Sequence, residues 1–361
     1  MKEIISDKFS ILFGNDGYLK FANFVHENNF KKILILTDEN TKIHCMDLFF
    51  SKIKKINKKI AETISSSSYN LSVEPGENAK NLKTSNQIWE FLTKNGFKRN
   101  DLIINLGGGM ISDLGGFVAS TYMRGIQFIN IPTTLLGMVD ASIGGKTGID
   151  LNSIKNIIGT FQFAKLVLID VDFLNSLSEK HIAAGYAEMI KHSLICKNHE
   201  WEKISKINSL EDINSEMIYK SINIKVDIIM SDPMELNNRK YLNYGHTLGH
   251  AIESYLLATN REILHGEAIA IGLVLETYIS HLKRNFNLKL TKEIKNHINR
   301  HYEIIKFNQE SILNIIDLLK YDKKNNNDEP MFVLLNNLGE VKTNQSVSIK
   351  QIKEAFKFYQ N

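Results

Sequence analysis

Leu106–Gly159 reads LGGGMISDLGGFVASTYMRGIQFINIPTTLLGMVDASIGGKTGIDLNSIKNIIG. An apolar run, Asp101–Leu106 (DLIINL), enters Gly107-Gly108-Gly109 and continues into a segment with helical potential. Backbone lacking Cβ atoms can approach a pyrophosphate closely. A helix N-terminus behind it offers unpaired N–H groups and partial positive charge. The spacing is not GxGxxG, so the usual dinucleotide fingerprint is absent, and a lone GGG after a strand is most often a tight turn. Other strand ends raise the nucleotide reading. Asp38 follows KILILT (Lys32–Thr37), where an acidic residue can hold an adenosine ribose. PGENAK (Pro75–Lys80) supplies Glu77 and Lys80 after an apparent strand, and Thr133 and Thr134 follow QFINI (Gln127–Ile131). Open parallel sheets bind ligands at the carboxyl ends of their strands.

Outward from this stretch, the pattern alternates. LVLID (Leu166–Asp170) predicts another buried strand, and Asn81–Asn95 predicts a helix between two strands. Strands alternating with helices predict a parallel sheet in an α/β layer. Past Phe173 helical periodicities take over, at Ile182–Leu194, Ser215–Ser231, Gly245–Leu257, Ala268–Leu282 and Ser311–Leu319. Pro233 is expected to end a helix after Asp232. A short strand is predicted at Met331–Leu335 and a polar loop at Lys323–Glu329. The boundary falls within residues 171–180, giving an α/β domain over 1–175 and an all-α domain over 176–361.

The chain has 361 residues, more than one ordinary core accommodates. A net charge of +4 is too small to argue for nucleic acid or a membrane surface. No apolar run approaches the roughly 18 residues of a membrane span, and MKEIISDKFSILFG lacks the apolar core of a secretory signal. Cys45 and Cys196 are isolated. That suits a reducing cytoplasm and argues against a thiolate metal site.

A second set of motifs carries metal chemistry. His246 and His250 in NYGHTLGH lie four apart, on one helix face, a spacing that suits zinc. His265 opens HGEA, and Glu188 precedes Lys191 by one helical turn in GYAEMIKH. Spacing alone leaves open which histidine is a ligand and which faces substrate. Lys146 after Gly144-Gly145, Lys155 before Asn156, Lys191, Lys225 and Arg239 are candidates for phosphate and carboxylate contacts.

The motifs PGExxK, GGGxxxDxxGFxAxxxxRG, PTTLLxxVDxSxGGKTG, KNxIG, GxAExxKH, LNYGHTLGHAIE, LHGEA and DKK occur in this order over roughly residues 30–345. In them the chain resembles the 3-dehydroquinate synthases, which belong to the sugar phosphate cyclases. These are similar in fold to glycerol dehydrogenases and iron-dependent alcohol dehydrogenases. The resemblance implies a Rossmann-like NAD domain followed by a helical domain. It implies Glu188, His246 and His265 as zinc ligands, with cobalt also acceptable to such a set. It places Asp38, Glu77, Lys80, Gly108, Gly109, Asp113, Thr133, Thr134 and Asp140 around NAD, with Lys146 and Lys155 bordering it. Lys146, Lys155, Asn156, Lys191, Lys225, Arg239, Asn243 and His250 match substrate-contacting positions, as does Lys323 or Lys324 near the C-terminus. Arg124 matches an arginine that reaches a neighbouring subunit's site, which implies a homodimer.

The implied reaction converts 3-deoxy-D-arabino-heptulosonate 7-phosphate into 3-dehydroquinate and phosphate, in the shikimate pathway. Transient oxidation at C5 acidifies the adjacent C–H, phosphate leaves, the hydride returns, and an intramolecular aldol closes the ring. Another sugar phosphate cyclase is one rival. The intact SxGGKTG stretch and Lys–Asn pair speak against it. A metal-dependent alcohol dehydrogenase is a second, and would not need so many cations. A decayed chain kept for binding would have lost some of these residues. Departures from the family pattern fall at Gln162-Phe163-Ala164, Ser178, Pro233 and Asp328, none of them a position with an assigned chemical role.

Overall fold

The structure, a computed structural model, describes residues 2–151, 154–319 and 330–361. Its contacts divide the chain into two compact units, Met1–Ser178 and Glu179–Asn361. The first runs β1 (Glu3–Ile5), β2 (Ser10–Phe13), α1 (Gly14–Asn28), β3 (Ile33–Asp38), α2 (Glu39–Ile56), α3 (Lys58–Ser67), β4 (Ser68–Val73), α4 (Leu82–Lys94), β5 (Leu102–Gly107), α5 (Gly109–Thr121), β6 (Gln127–Pro132), β7 (Lys146–Leu151), β8 (Ile154–Phe161) and β9 (Leu166–Ile169). A seven-stranded sheet has the order β1-β2-β9-β6-β5-β3-β4. Only β1 joins it antiparallel. β3 and β5 are buried at every residue, which is why ILILTD and LIINLG show no alternation.

The strands expected from KILILT, DLIINL, QFINI and LVLID and the helix expected over 81–95 are present within a residue or so. β7 and β8 are a finding. They form a separate antiparallel hairpin within SIGGKTG and KNIIG, turned into β7 by Gly144 (φ 116) and Gly145 (φ 70). The hairpin packs on α5, where a Cβ on Gly116 would lie only 2.5 Å from Thr147 Cγ2 and Thr160 Oγ1 donates to Ser120 Oγ at 2.8 Å. Beneath α5, Asn105 Nδ2 donates to Asn130 Oδ1 (2.9 Å) and Asn130 Nδ2 to Ser142 O (3.1 Å), tying β5 to β6 and the loop beyond it.

The second unit runs α6 (Glu179–Ile195), α7 (Trp201–Ile204), α8 (Ser215–Ser231), α9 (His246–Ala258), α10 (His265–Arg284), α11 (Leu288–His301), α12 (Gln309–Leu318), β10 (Met331–Asn337), β11 (Glu340–Ser346) and α13 (Ile349–Gln360). α10 is its axis, packed against α6, α9, α11, α13 and β10. An unbroken buried run, Ala268–Thr277, is what such a central helix needs. α8 ends at Ser231 with Asp232 as its C-cap and Pro233 beyond, as the proline requires. The strand at 331–335 extends to Asn337 and pairs with β11, so the helical unit carries one hairpin. The loop expected at 323–329 lies outside the described residues. Among the described residues no helix is long and apolar enough to cross a membrane.

Candidate active site

At the carboxyl end of β5 the chain enters α5 through Gly108, with φ −72 and ψ −166. Gly107, Gly108 and Gly109 are not among the positive-φ residues. They are glycine for want of space. A Cβ on Gly107 would lie 2.6 Å from Ile111, on Gly108 2.9 Å from Thr134 Cγ2, and on Gly109 2.9 Å from Ala141 Cβ. Thr134 is fixed in turn, accepting from Gly137 N at Oγ1 (3.0 Å) and from Met138 N at its carbonyl (2.9 Å). Thr133 N donates to Gly107 O at 3.0 Å. Asp140 sits in the turn Gly137–Ala141 that closes over the glycines. The first-turn N–H groups of α5 have no intrahelical partner and face an anion readily. At the end of β3, Asp38 Oδ1 accepts from Thr41 N at 2.8 Å, half of a capping box on α2.

Lys80 links three segments. Its buried Nζ lies 2.6 Å from Asp113 Oδ2 on α5 and 3.5 Å from Glu77 Oε1. Burial alone would ease its deprotonation, but the charges of Asp113 and Glu77 outweigh burial and hold the pKa above the ordinary lysine value. Its carbonyl accepts from Asp150 N in β7 at 2.8 Å, and Asp150 Oδ1 accepts from Asn156 N at 2.6 Å. That bond holds Asn156 left-handed at φ 51, next to Lys155 on β8. Lys146 is exposed at the start of β7. Phe163, in the departing triplet, stacks on Phe9 with centroids 5.2 Å apart. After α5 the chain turns through Met123 (φ 50) and Arg124 (φ 64). Consecutive left-handed side-chain-bearing residues are uncommon, and this pair leaves both side chains exposed.

In the second unit three helices converge. α6 carries Glu188 and Lys191, both buried and ion-paired. α9 opens with His246 and has His250 one turn on, while α10 opens with His265. The imidazole centroids lie 5.2 Å (His246–His250), 5.6 Å (His246–His265) and 5.5 Å (His250–His265) apart, and one ring nitrogen from each lies within 4.8 Å of the others. His246 Nε2 is 3.6 Å from Glu188 Oε1. His246 Nδ1 faces Tyr244 O at 3.2 Å and His265 Nδ1 faces Glu253 Oε2 at 3.1 Å. Carbonyl and carboxylate oxygens accept only, so these partners assign the proton to Nδ1 and leave both Nε2 lone pairs available. Both oxygens of Glu188 are buried, Oε2 against the Lys191 ammonium and Oε1 toward His246 Nε2. A buried carboxylate facing imidazole lone pairs fits a divalent cation.

Helix contacts set this geometry. Glu276 on α10 accepts from Gly245 N (2.8 Å) and Leu248 N (3.0 Å), capping α9 where its macrodipole is positive. A Cβ at Gly272 would overlap Gly245 O, and one at Gly266 would overlap the backbone of Ala184 on α6.

Between α8 and α9, Asp232 accepts from Leu236 N (3.0 Å), Asn237 N (2.6 Å) and Arg239 N (3.1 Å). Burial would raise its pKa, but these amides outweigh burial and lower it. Arg239 Nη1 donates to Pro233 O at 2.7 Å and Asn243 Nδ2 to Glu235 Oε1 at 2.9 Å. Lys225 and Arg239 are buried. Lys323 and Lys324 lie outside the described residues, as does Asp328.

The sequence reading singled out neither Glu253 nor Glu276 nor Asp150. Glu253 had a usable signal: it falls seven residues after His246 and three after His250 in HTLGHAIE, on the same helix face. Glu276 had none, because it sits amid an apolar run and acts on another helix.

An α/β unit with polar groups at its strand ends, followed by a helical unit with a histidine–carboxylate donor set, defines an enzyme. The family models described as 3-dehydroquinate synthase N-terminal and C-terminal match residues 70–184 and 185–325. The 3-dehydroquinate synthase of Parabacteroides distasonis is 39% identical over 344 residues, covering 94% of each chain. That of Pelagibacter ubique is 38% identical, covering 92% of this chain and 91% of its own. Among solved structures, 2-deoxy-scyllo-inosose synthase with carbaglucose-6-phosphate, NAD+ and Co2+ is similar in fold, with a TM-score of 0.83 at 24% identity over 99% of both chains. A 2-epi-5-epi-valiolone synthase of Streptomyces hygroscopicus with NAD+ and Zn2+ has a TM-score of 0.79 at 20% identity, over 99% of this chain and 98% of its own. The chain belongs to the 3-dehydroquinate synthase family.

Proposed function

We propose that this chain is a carbon–oxygen lyase that converts 3-deoxy-D-arabino-heptulosonate 7-phosphate into 3-dehydroquinate and phosphate, using NAD and a divalent ion, zinc or cobalt. The observation that carries the reading is the convergence of Glu188, His246 and His265 in a member of this family. NAD+ together with Co2+ or Zn2+ in the two solved neighbours supports the cofactors. When bound, NAD exchanges a hydride with the substrate alcohol while the ion, as a Lewis acid, favours its ionised oxygen.

Residues 1–175 would hold NAD and residues 176–361 the metal and most of the substrate. The α5 N-terminus with Gly108 and Gly109 would take the pyrophosphate. Asp38, Glu77, Lys80, Asp113, Thr133, Thr134 and Asp140 would surround the rest, with Lys146 and Lys155 at its border. Glu188, His246 and His265 would hold the ion. Lys146, Lys155, Asn156, Lys191, Lys225, Arg239, Asn243, His250 and Lys324 would bind phosphate and carboxylate. Buried cations such as Lys191, Lys225 and Arg239 suit a substrate with two anionic groups. The enzyme would act in the cytoplasm as a homodimer, Arg124 reaching the neighbouring site. Its exposed, left-handed turn supports such a reach.

Phosphate release with the seven-carbon substrate, zinc and substoichiometric NAD+ tests the reading. Many phosphates per NAD+ with no accumulating NADH absorbance are expected. NADH formed in step with product would instead mark an alcohol dehydrogenase. Turnover confined to a different sugar phosphate would mark another cyclase.

A further inference from the structure

We infer that Glu253 is a positioning residue for the metal, its carboxylate holding His265 so that Nε2 is turned toward the ion. The inference rests on the proposed assignment of His265 as a ligand. Glu253 is 3% exposed on α9, and its Oε2 lies 3.1 Å from His265 Nδ1 on α10. A carboxylate taken out of water needs a partner, and this imidazole N–H is one. Seven residues separate Glu253 from His246, so one face of α9 supplies both a ligand and the group that orients a ligand on the next helix.

The two ligand histidines are held differently. His246 is steadied by the neutral carbonyl of Tyr244, just upstream in the chain. Its side chain is 10% exposed, whereas that of His265 is 29% exposed and has more room to rotate. The more exposed ring is the one with a carboxylate behind its Nδ1. A carboxylate behind an imidazole fixes its tautomer and raises its basicity as a ligand. The helices do not depend on this contact to stay together, because Glu276 and the Gly245–Gly272 approach pin α9 to α10 elsewhere. Loss of Glu253 therefore acts on the ring and not on the fold.

The test is zinc affinity of the metal-free full chain, measured by competition with a chromophoric chelator, with neither substrate nor NAD present. Glu253→Gln keeps the shape and one acceptor oxygen and is expected to bind zinc on the order of 10-fold more weakly; Glu253→Leu is expected to lose up to about 100-fold. The metal-free variants should melt within a degree or two of the parent, and the visible bands of Co2+ bound to Glu253→Leu should shift. Parental zinc affinity in Glu253→Gln overturns the proposal. So does a fall in the metal-free melting temperature that tracks the affinity loss, since that marks a general structural role. Zinc that fails to bind even the parental chain overturns the ligand assignment beneath it, and with it the metal reading of the function.

Discussion

Glu188, His246, His250 and His265 present more donors than a three-ligand site needs. His246 and His265 each have Nδ1 committed to an oxygen, and Glu188 is buried against His246. With Glu188, His246 and His265 as the proposed ligands, His250 would be the ring that faces the substrate. His265→Ala is expected to lose the metal and all turnover. His250→Ala should keep near-stoichiometric zinc while turnover falls about 10²–10³-fold, as for a donor to developing charge in a dry site. Metal analysis of the purified variants decides it. Zinc lost from His250→Ala but retained by His246→Ala would reverse the roles. Sequence spacing singled out His246 and His250 in HxxxH and Glu188 in GYAEMIKH as candidates, while the choice of ligands among them came from the family resemblance. What spacing could not supply was the second acceptor on each ring. Tyr244 acts through its backbone, which no side-chain motif reveals, and Glu253 reads as an ordinary helix acid until α10 is laid beside it.

Between elements, glycines decide how closely the helices of the second unit approach. Gly272 has no room for a Cβ because Gly245 O occupies the place, and both flank the helix start that bears His246. Gly272→Ala should destabilise the chain by at least about 1–3 kcal/mol and displace α9, weakening zinc binding as well. A melting temperature and zinc affinity equal to the parent's would refute the close-approach account. The elements themselves were unequally readable. β3 and β5 declare themselves as short unbroken apolar runs. α11 (LKLTKEIKNHINRH) and α13 (IKQIKEAFKFYQ) went unread because lysine and asparagine dilute a narrow apolar stripe, although Ile294, Ile298, Ile352 and Phe356 are buried along it. The β7–β8 hairpin was hidden because its glycines look like a ligand loop. Those at 148 and 159 are strand residues set against each other, where a Cβ would strike the opposite backbone.

For the molecule as a whole, acid tolerance runs through a buried network centred on His297. Arg300 Nη2 donates to His297 Nδ1 (3.2 Å), so His297 Nε2–H points to Tyr186 OH (2.7 Å), which donates to Ile204 O (3.1 Å). Burial, with the charges of His301 and Arg300, lowers the His297 pKa to about 4. Unfolding restores the ordinary value near 6.5. Between those limits the unfolded chain binds a proton that the folded chain refuses. This contribution is intact above pH 6.5 and is lost as pH falls toward 4. Urea unfolding at pH 7 and pH 5 should show the parent losing on the order of 1 kcal/mol more than His297→Asn; equal losses would remove His297 from the account. The turn at Met123 and Arg124 has an opposite bearing on durability. A left-handed arginine strains the backbone by about 1 kcal/mol relative to glycine. Arg124→Gly should therefore raise the melting temperature by a few degrees, yet depress turnover if the arginine serves a neighbouring site. Selection for heat resistance alone would favour the variant that selection for product formation discards. If the arginine serves a neighbouring site, the residue present at 124 records which of the two pressures prevailed.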